Sequence, residues 1–148
     1  MYSHILVAVD GSDTSNVALR EAIKLAKDKH SAVRLVHVID LTLAYSAVEA
    51  PYAADYEKAV RAAGQKVISD CSATLRDTGI EFDAKTIVIE TPGQHIYDAI
   101  EEEAKQWPAG LIMIGTHGRR GFRRLLLGSV SEGVIRVATK PVLLIRGA

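Results

Sequence analysis

Leu111-Ile112-Met113-Ile114-Gly115-Thr116-His117-Gly118, then nine residues, then Gly128-Ser129-Val130, is the stretch that decides the fold. A short apolar run ends in a glycine-rich turn, and the chain resumes as an amphipathic segment over residues 130–138. Strand, loop and helix in that order make half of a βαβ unit. Glycines let the backbone approach an anion closely, and the first free N–H groups of the following helix point at it. Arg119, Arg120, Arg123 and Arg124 add a field that favours a negative ligand, although arginines in such a loop can equally be solvated. The spacing is not G-x-G-x-x-G, and there is no Gly-Lys-Ser/Thr. Neither the dinucleotide fingerprint nor the Walker A loop is present.

Outward from that stretch, strand-like runs occupy residues 5–9, 33–38, 82–89 and 142–145 as well as 111–114. Four of these are near-continuous apolar runs, as in strands buried on both faces of a parallel sheet. Residues 82–89 alternate (Phe82, Ala84, Thr86 and Val88 against Asp83 and Lys85), which suits a sheet edge. Helical patterns lie between them. Ser12 or Asp13 caps one whose stripe is Ala18, Ala22, Leu25 and Ala26. Residues 55–77 place Tyr56, Val60, Ala63, Val67, Cys71 and Leu75 on one face. Thr91-Pro92 reads as N-cap and first residue of a helix that turns Ile96, Ile100, Ala104 and Trp107 inward. The last helix begins near Ser129 and ends before Lys140-Pro141.

This alternation predicts an α/β fold, an open twisted five-stranded parallel sheet with helices on both faces, as one domain over residues 1–148. Residues 40–54 are long and apolar for a linker. A flap over a ligand and a helical extension or dimer contact fit them equally.

Composition narrows the function classes. With 148 residues, 48% hydrophobic and 24% charged, the chain reads as an ordinary globular domain. It is long enough to bury roughly 70% of its unfolded surface. Lys plus Arg and Asp plus Glu are both 18, so bulk charge supports neither a nucleic-acid nor a membrane-surface role. Cys71 is the single cysteine and reads as a reduced thiol in a cytoplasmic protein. The residues ahead of the first strand are too few for a signal peptide or a membrane span.

Ligands of open α/β sheets sit beyond the carboxyl ends of the strands, where the strand order reverses. In the order 3-2-1-4-5, strands one and four flank that point, and Asp10 faces the loop at 115–129. A carboxylate there suits ribose hydroxyls or a magnesium ion, although a lone Asp after a strand also serves as a helix-entry turn. Val38 and Ile39 offer an apolar wall and backbone groups for a base. Base wall, acid and phosphate loop together describe a nucleotide.

Four segments now resemble a known family along the entire chain. They are Ile5-Leu6-Val7-Ala8-Val9-Asp10-Gly11-Ser12, Val36-His37-Val38-Ile39-Asp40, GTHGRRGFRRLLLGSVSEGV at 115–134, and Lys140-Pro141-Val142-Leu143-Leu144-Ile145. The chain resembles the universal stress protein family. Gly115, Gly118, Gly128 and Ser129 match the pattern G-x2-G-x9-G-S/T of that family's ATP-binding branch. The resemblance implies an adenine nucleotide alpha hydrolase-like sheet and ATP, with magnesium, as ligand. It implies adenine contacts from the Val38 backbone with Ala8 and Val9 nearby, and ribose or metal contacts at Asp10. Phosphate contacts are implied for Gly118, Arg119, Gly128, Ser129 and Val130.

Other readings fail. His4, His30, His37, His95 and His117 show no metal-ligand spacing. His117 can touch phosphate or simply face solvent. Glu101-Glu102-Glu103 reads as a solvated helix face. No Gly-x-Ser-x-Gly elbow occurs. A receiver domain requires an Asp where Glu90-Thr91 ends the third strand, and a flavodoxin-type loop is less acidic than Asp10-Gly11-Ser12-Asp13. No general base stands near the loop, so an ATP-binding regulatory stress-response protein with at most slow hydrolysis is favoured over a metal-assisted ATPase. The strand at Val142–Ile145 belongs at the outer edge, where an uninterrupted apolar run invites antiparallel pairing into a homodimer.

Overall fold

A computed structural model describes residues 1–46, 48–117 and 127–147. Its strands are β1 (His4–Ala8), β2 (Ala32–Asp40), β3 (Phe82–Ile89), β4 (Leu111–Gly115) and β5 (Val142–Ile145). They form a parallel sheet in the order β3-β2-β1-β4-β5. The helices are α1 (Asp13–Lys29), α2 (Thr42–Ser46), α3 (Ala53–Leu75), α4 (Ile96–Gln106) and α5 (Ser129–Val137), with a 3-10 turn at Ala50–Tyr52.

The strand order dictates the layers. Right-handed crossovers in one direction cover one face, and crossovers in the other direction cover the opposite face. From β1 to β3 the chain passes through α1 and α3. Ile5, Val7, Leu35 and Met113 pack there against Leu19 and Ala22 of α1 and Val67, Cys71 and Leu75 of α3. It then returns to β4 and β5 through α4 and α5. Leu6, Val36, Ile112 and Ile114 pack on that side against Ile100, Ala104 and Val134. The two-residue period of each strand thus divides its side chains between two cores, each fully buried aliphatic side chain contributing about 1.5–3 kcal/mol.

Several sequence expectations need correction. Thr91-Pro92 does not open α4. Gln94 N–H donates to the Thr91 carbonyl at 3.2 Å, and Gly93 has φ 89°. Pro followed by a left-handed Gly makes a turn, which uses up the residues that looked like a cap. The helix begins three residues after Gly93, behind His95, whose N–H donates to Asp98 Oδ2 at 3.3 Å. On α3 the buried line is Gly64, Val67, Cys71 and Leu75, while Tyr56 and Ala63 are exposed. A Cβ on Gly64 would lie 2.8 Å from Ile39 Cδ1, so glycine there lets α3 settle onto β2. Within residues 40–54, Thr42–Ser46 form α2 and Ala50–Tyr52 the 3-10 turn, with Leu41 and Ala44 buried and Tyr45 and Tyr52 exposed. The edge strand β5 is only partly buried, and its Leu143 is 42% exposed.

The acidic triplet is the largest correction. Glu101 and Glu103 are 4% and 3% exposed, because α4 packs against both the sheet and α5; of the three only Glu102 faces water. Glu103 is tolerated because two cations reach it, Arg34 Nη1 at 2.7 Å and Lys85 Nζ at 2.6 Å. Arg34 also grips Asp83 through Nε at 2.8 Å and Nη2 at 2.7 Å. Its guanidinium lies 4.8 Å from the Trp107 ring centre. The Asp83 bonds first, and Glu103 after them, hold Arg34 above the ordinary guanidinium range. This cluster sits at the amino ends of the strands.

Candidate functional site

The carboxyl ends of β1 and β4 leave a gap between them, because α1 departs to one face and α5 to the other. The gap opens into a cleft of about 550 Å³, its mouth included. One wall is apolar: Ala8, Val36, Val38, Ile96, Ile100, Ile114 and Val130. The polar lining residues are Asp10, Ser15, His37, His117 and Ser131. An apolar slot with a few converging polar groups is the usual form of a small-molecule site.

The turn after β1 sets the acid. Gly11 has φ 82°, a conformation that glycine adopts without strain. Asp10 Oδ1 accepts from Ser12 N–H at 2.8 Å, Ser12 Oγ caps α1 by accepting from Ser15 N–H at 3.2 Å, and Ser15 Oγ accepts from Asp10 N–H at 3.1 Å. Asp10 is therefore a helix-entry residue and a cleft residue at once.

The end of β4 is fixed by packing and by three hydrogen bonds. A Cβ on Gly115 would meet Thr14 Cγ2 at 2.8 Å, the Thr14 carbonyl carbon at 3.0 Å and the Ser15 nitrogen at 3.1 Å. Glycine is required there because β4 presses on the first turn of α1. Thr116 N–H donates to the Ile145 carbonyl at 2.9 Å, and Gly128 N–H returns to the Thr116 carbonyl at 2.7 Å. Ser131 Oγ donates to the Gly115 carbonyl at 2.7 Å. The Gly128 amide is thus committed to closing the segment on itself. Gly128 stands at the N-cap of α5, and among the described residues no side chain caps that helix. The partial positive charge of its first turn, at Ser129 and Val130, is directed to this end of the sheet.

Where β1 ends beside β2, Val9 N–H donates to the Val36 carbonyl at 2.9 Å. The Val9 carbonyl accepts from His37 Nδ1 at 2.8 Å. A carbonyl only accepts, so the His37 proton sits on Nδ1. Cys71 lies under this region on α3. Burial, then the charges of Asp70 and Asp10, push its thiol up, which leaves it protonated and a poor nucleophile.

Of the residues singled out in the sequence, Ala8, Val9, Asp10, Val38, Gly115 and Val130 line the cleft. Gly128 and Ser129 stand at the head of α5, adjacent to the lining. Gly118 and Arg119, with Arg120, Arg123 and Arg124, lie outside the described residues. Ser15, Ile96, Ile100, Ile114 and Ser131 were not foreseen as lining residues. Ile96 and Ile100 read correctly as the inward stripe of a helix, and only the packing of α4 across the sheet turns part of that stripe toward the cleft. His117 lines the cleft, and its Nδ1 lies 3.0 Å from Thr116 Oγ1.

Comparison with known proteins agrees with this geometry. The model of the universal stress protein family matches residues 1–146. The chain is similar to universal stress protein YxiE of Bacillus subtilis (strain 168), 30% identical over 153 residues, covering 99% of this chain and 100% of the relative. Among solved structures it is similar to the hypothetical protein MJ0577, with a TM-score of 0.86 and 26% identity over 100% of this chain and 98% of the other. It is also similar to the universal stress protein from Archaeoglobus fulgidus in complex with dAMP. That match has a TM-score of 0.69 and 27% identity, and covers 97% and 98% of the two chains.

Proposed function

The chain belongs to the universal stress protein family, and from that premise we propose that it binds ATP with magnesium in the cleft between β1 and β4, as a regulatory stress-response protein. The observation that carries the reading is the mixed lining of the cleft, apolar side chains that share one core together with the polar groups of Asp10, Ser15, His37, His117 and Ser131, beside the head of α5, which no side chain caps among the described residues. A base fits the slot between Ala8, Val38 and Ile100. Phosphates fit the rim, where the Ser129 and Val130 amides supply donors and the segment with Gly118 and Arg119 begins and ends. The relative from Archaeoglobus fulgidus in complex with dAMP supports an adenine nucleotide as the ligand class. The G-x2-G-x9-G-S spacing, which resembles that of the family's ATP-binding branch, supports a triphosphate.

Asp10 is a carboxylate lining the cleft, a hard oxygen donor suited to magnesium, and would hold the ion beside the phosphates. Bound there, magnesium would neutralise phosphate charge and polarise phosphoryl oxygen. This chain's own residues position the ligand: the apolar wall excludes water from the base, and α5 orients the anion. Asp10 and His117 both line the cleft, so metal-assisted hydrolysis is the second reading; with neither dedicated to activating water, turnover is slow. The buried, unpaired Cys71 suits a reducing compartment, and we place the protein in the cytoplasm. Among the described residues no helix is long and apolar enough to cross a membrane.

Isothermal titration tests the reading. Gly128 has φ −63° and ψ 156°, which valine adopts without strain, so Gly128→Val keeps the fold while placing a branched side chain at the phosphate rim. Wild type should bind Mg-ATP, and the variant should lose at least about tenfold in affinity, or about 1.4 kcal/mol. Equal affinity would remove the loop from the site. Single-turnover hydrolysis on the same samples separates a binding protein from a slow ATPase.

A further inference from the structure

We propose that His37 is a positioning residue for base recognition: by occupying the Val9 carbonyl it keeps the Val38 N–H unpaired on the edge of β2, where it reads adenine. This rests on the nucleotide reading above.

The direction of the Val38 amide follows from the ladder. Val33 and Leu41 donate toward the β3 side, to the Glu81 and Ile89 carbonyls at 2.9 Å each. Odd residues of β2 therefore bond β3, and even residues face β1. Val36 obeys this, accepting from Val9 N–H. Val38 is the next even residue, so its N–H and C=O point to the same side, into the gap where β1 has ended. The β1–β2 ladder stops at Ala8↔Val36. Were it continued by one rung, Val38 N–H would donate to the Val9 carbonyl. That carbonyl instead takes the His37 Nδ1 proton at 2.8 Å.

The ring is held in place by α3. A Cβ on Gly64 would stand 3.0 Å from His37 Cδ2, so the imidazole occupies room that only a glycine leaves. The ring that terminates the ladder is thus wedged between the helix layer and the strand. Adenine presents an acceptor, N1, beside a donor, the exocyclic amine, which matches a strand edge offering N–H and C=O. Hypoxanthine presents the reverse pair and leaves both groups mismatched.

The variants are His37→Val, which removes the donor, and His37→Asn, whose Nδ2 lies close to the histidine Nδ1 position and restores it. In ligand-free protein, amide exchange by NMR should find Val38 open in wild type and in H37N. In H37V its exchange should slow at least about tenfold, as the N–H closes on the Val9 carbonyl. ATP and ITP titrations should show roughly ten- to a hundredfold preference for ATP in wild type and H37N, falling toward unity in H37V. If H37V does not fold, His37→Gln, whose donor sits one bond farther out, takes its place with the same expected result. Val38 exchange and base preference unchanged in these variants would overturn the proposal while leaving nucleotide binding intact. Wild type that binds neither ATP nor ITP would overturn the nucleotide reading and the base-selecting role with it.

Discussion

Gly115 shows how one residue can answer to two demands. It belongs to a glycine pattern associated with phosphate, yet its nearest neighbours are backbone and side-chain atoms of Thr14 and Ser15. Two of the three contacts are to main chain, which cannot swing aside as a side-chain tip can. Gly115→Ala should therefore destabilise by about 1–3 kcal/mol, the range for overpacking a filled site. Urea unfolding should show a lower midpoint with an unchanged slope. A variant as stable as wild type would mean that α1 yields freely, and then the glycine would answer to the ligand alone. Asp10 has the same double character, since the hydrogen bond that builds its turn also aims its carboxylate along the cleft rim. From the sequence, Asp10 could be read either as a turn former or as a ligand. The two are not exclusive, and only the fold shows them coinciding.

Among elements, α4 is the one whose character was least legible. Its apolar stripe was plain, but the burial of Glu101 and Glu103 was not, because partners of both lie outside the helix, Thr139 for Glu101, and Arg34 on β2 and Lys85 on β3 for Glu103. A helix pattern records which face is apolar and is silent on how wide an arc its neighbours cover. Glu103→Gln should cost about 1–3 kcal/mol in thermal or urea unfolding, below the range for a wholly buried pair, because Arg34 keeps Asp83 and Lys85 is half exposed. Glu102→Gln, on the exposed side of the same turn, should change stability by less than about 0.5 kcal/mol. Equal effects would contradict the burial of Glu103. The strands were legible throughout, since two-residue periodicity and β-branched runs depend on little beyond the strand itself. The start of α4 was not, because Thr91-Pro92 serves a turn and a helix cap equally well until Gly93 is seen to be left-handed. The cleft was half legible: the residues at strand ends could be named, whereas Ser15 and Ser131 enter it only through helix-to-strand packing.

For the whole molecule, the sheet leaves β3 and β5 at its two edges. Asp83, Lys85 and Thr86 break the β3 edge with polar groups, whereas β5 is Val142-Leu143-Leu144-Ile145 without interruption, and Leu143 stands 42% exposed. A homodimer joined along β5 is the expected assembly. Sedimentation equilibrium at micromolar concentration should find twice the 16.0 kDa chain mass, and Leu143→Lys, which puts a charge on the exposed edge, should shift it toward monomer. A wild-type monomer would refute the arrangement. The strand order was legible because alternating elements and short connections leave few ways to wind such a sheet. The same order also bears on how the chain is made. β1, first in sequence, is the middle strand: Ile5 pairs with Val33 on one side and with Leu111 on the other. At roughly 5–20 residues per second, synthesis delivers β4 several seconds after β2, and until then β1 is an edge with an apolar, unpaired border. The half containing β1, β2 and β3 can dock early, while the partner strand that completes the crevice arrives late. A growing chain therefore acquires its ligand cleft only when most of it has been translated, and a ligand that binds there rewards the last pairing to form rather than the first.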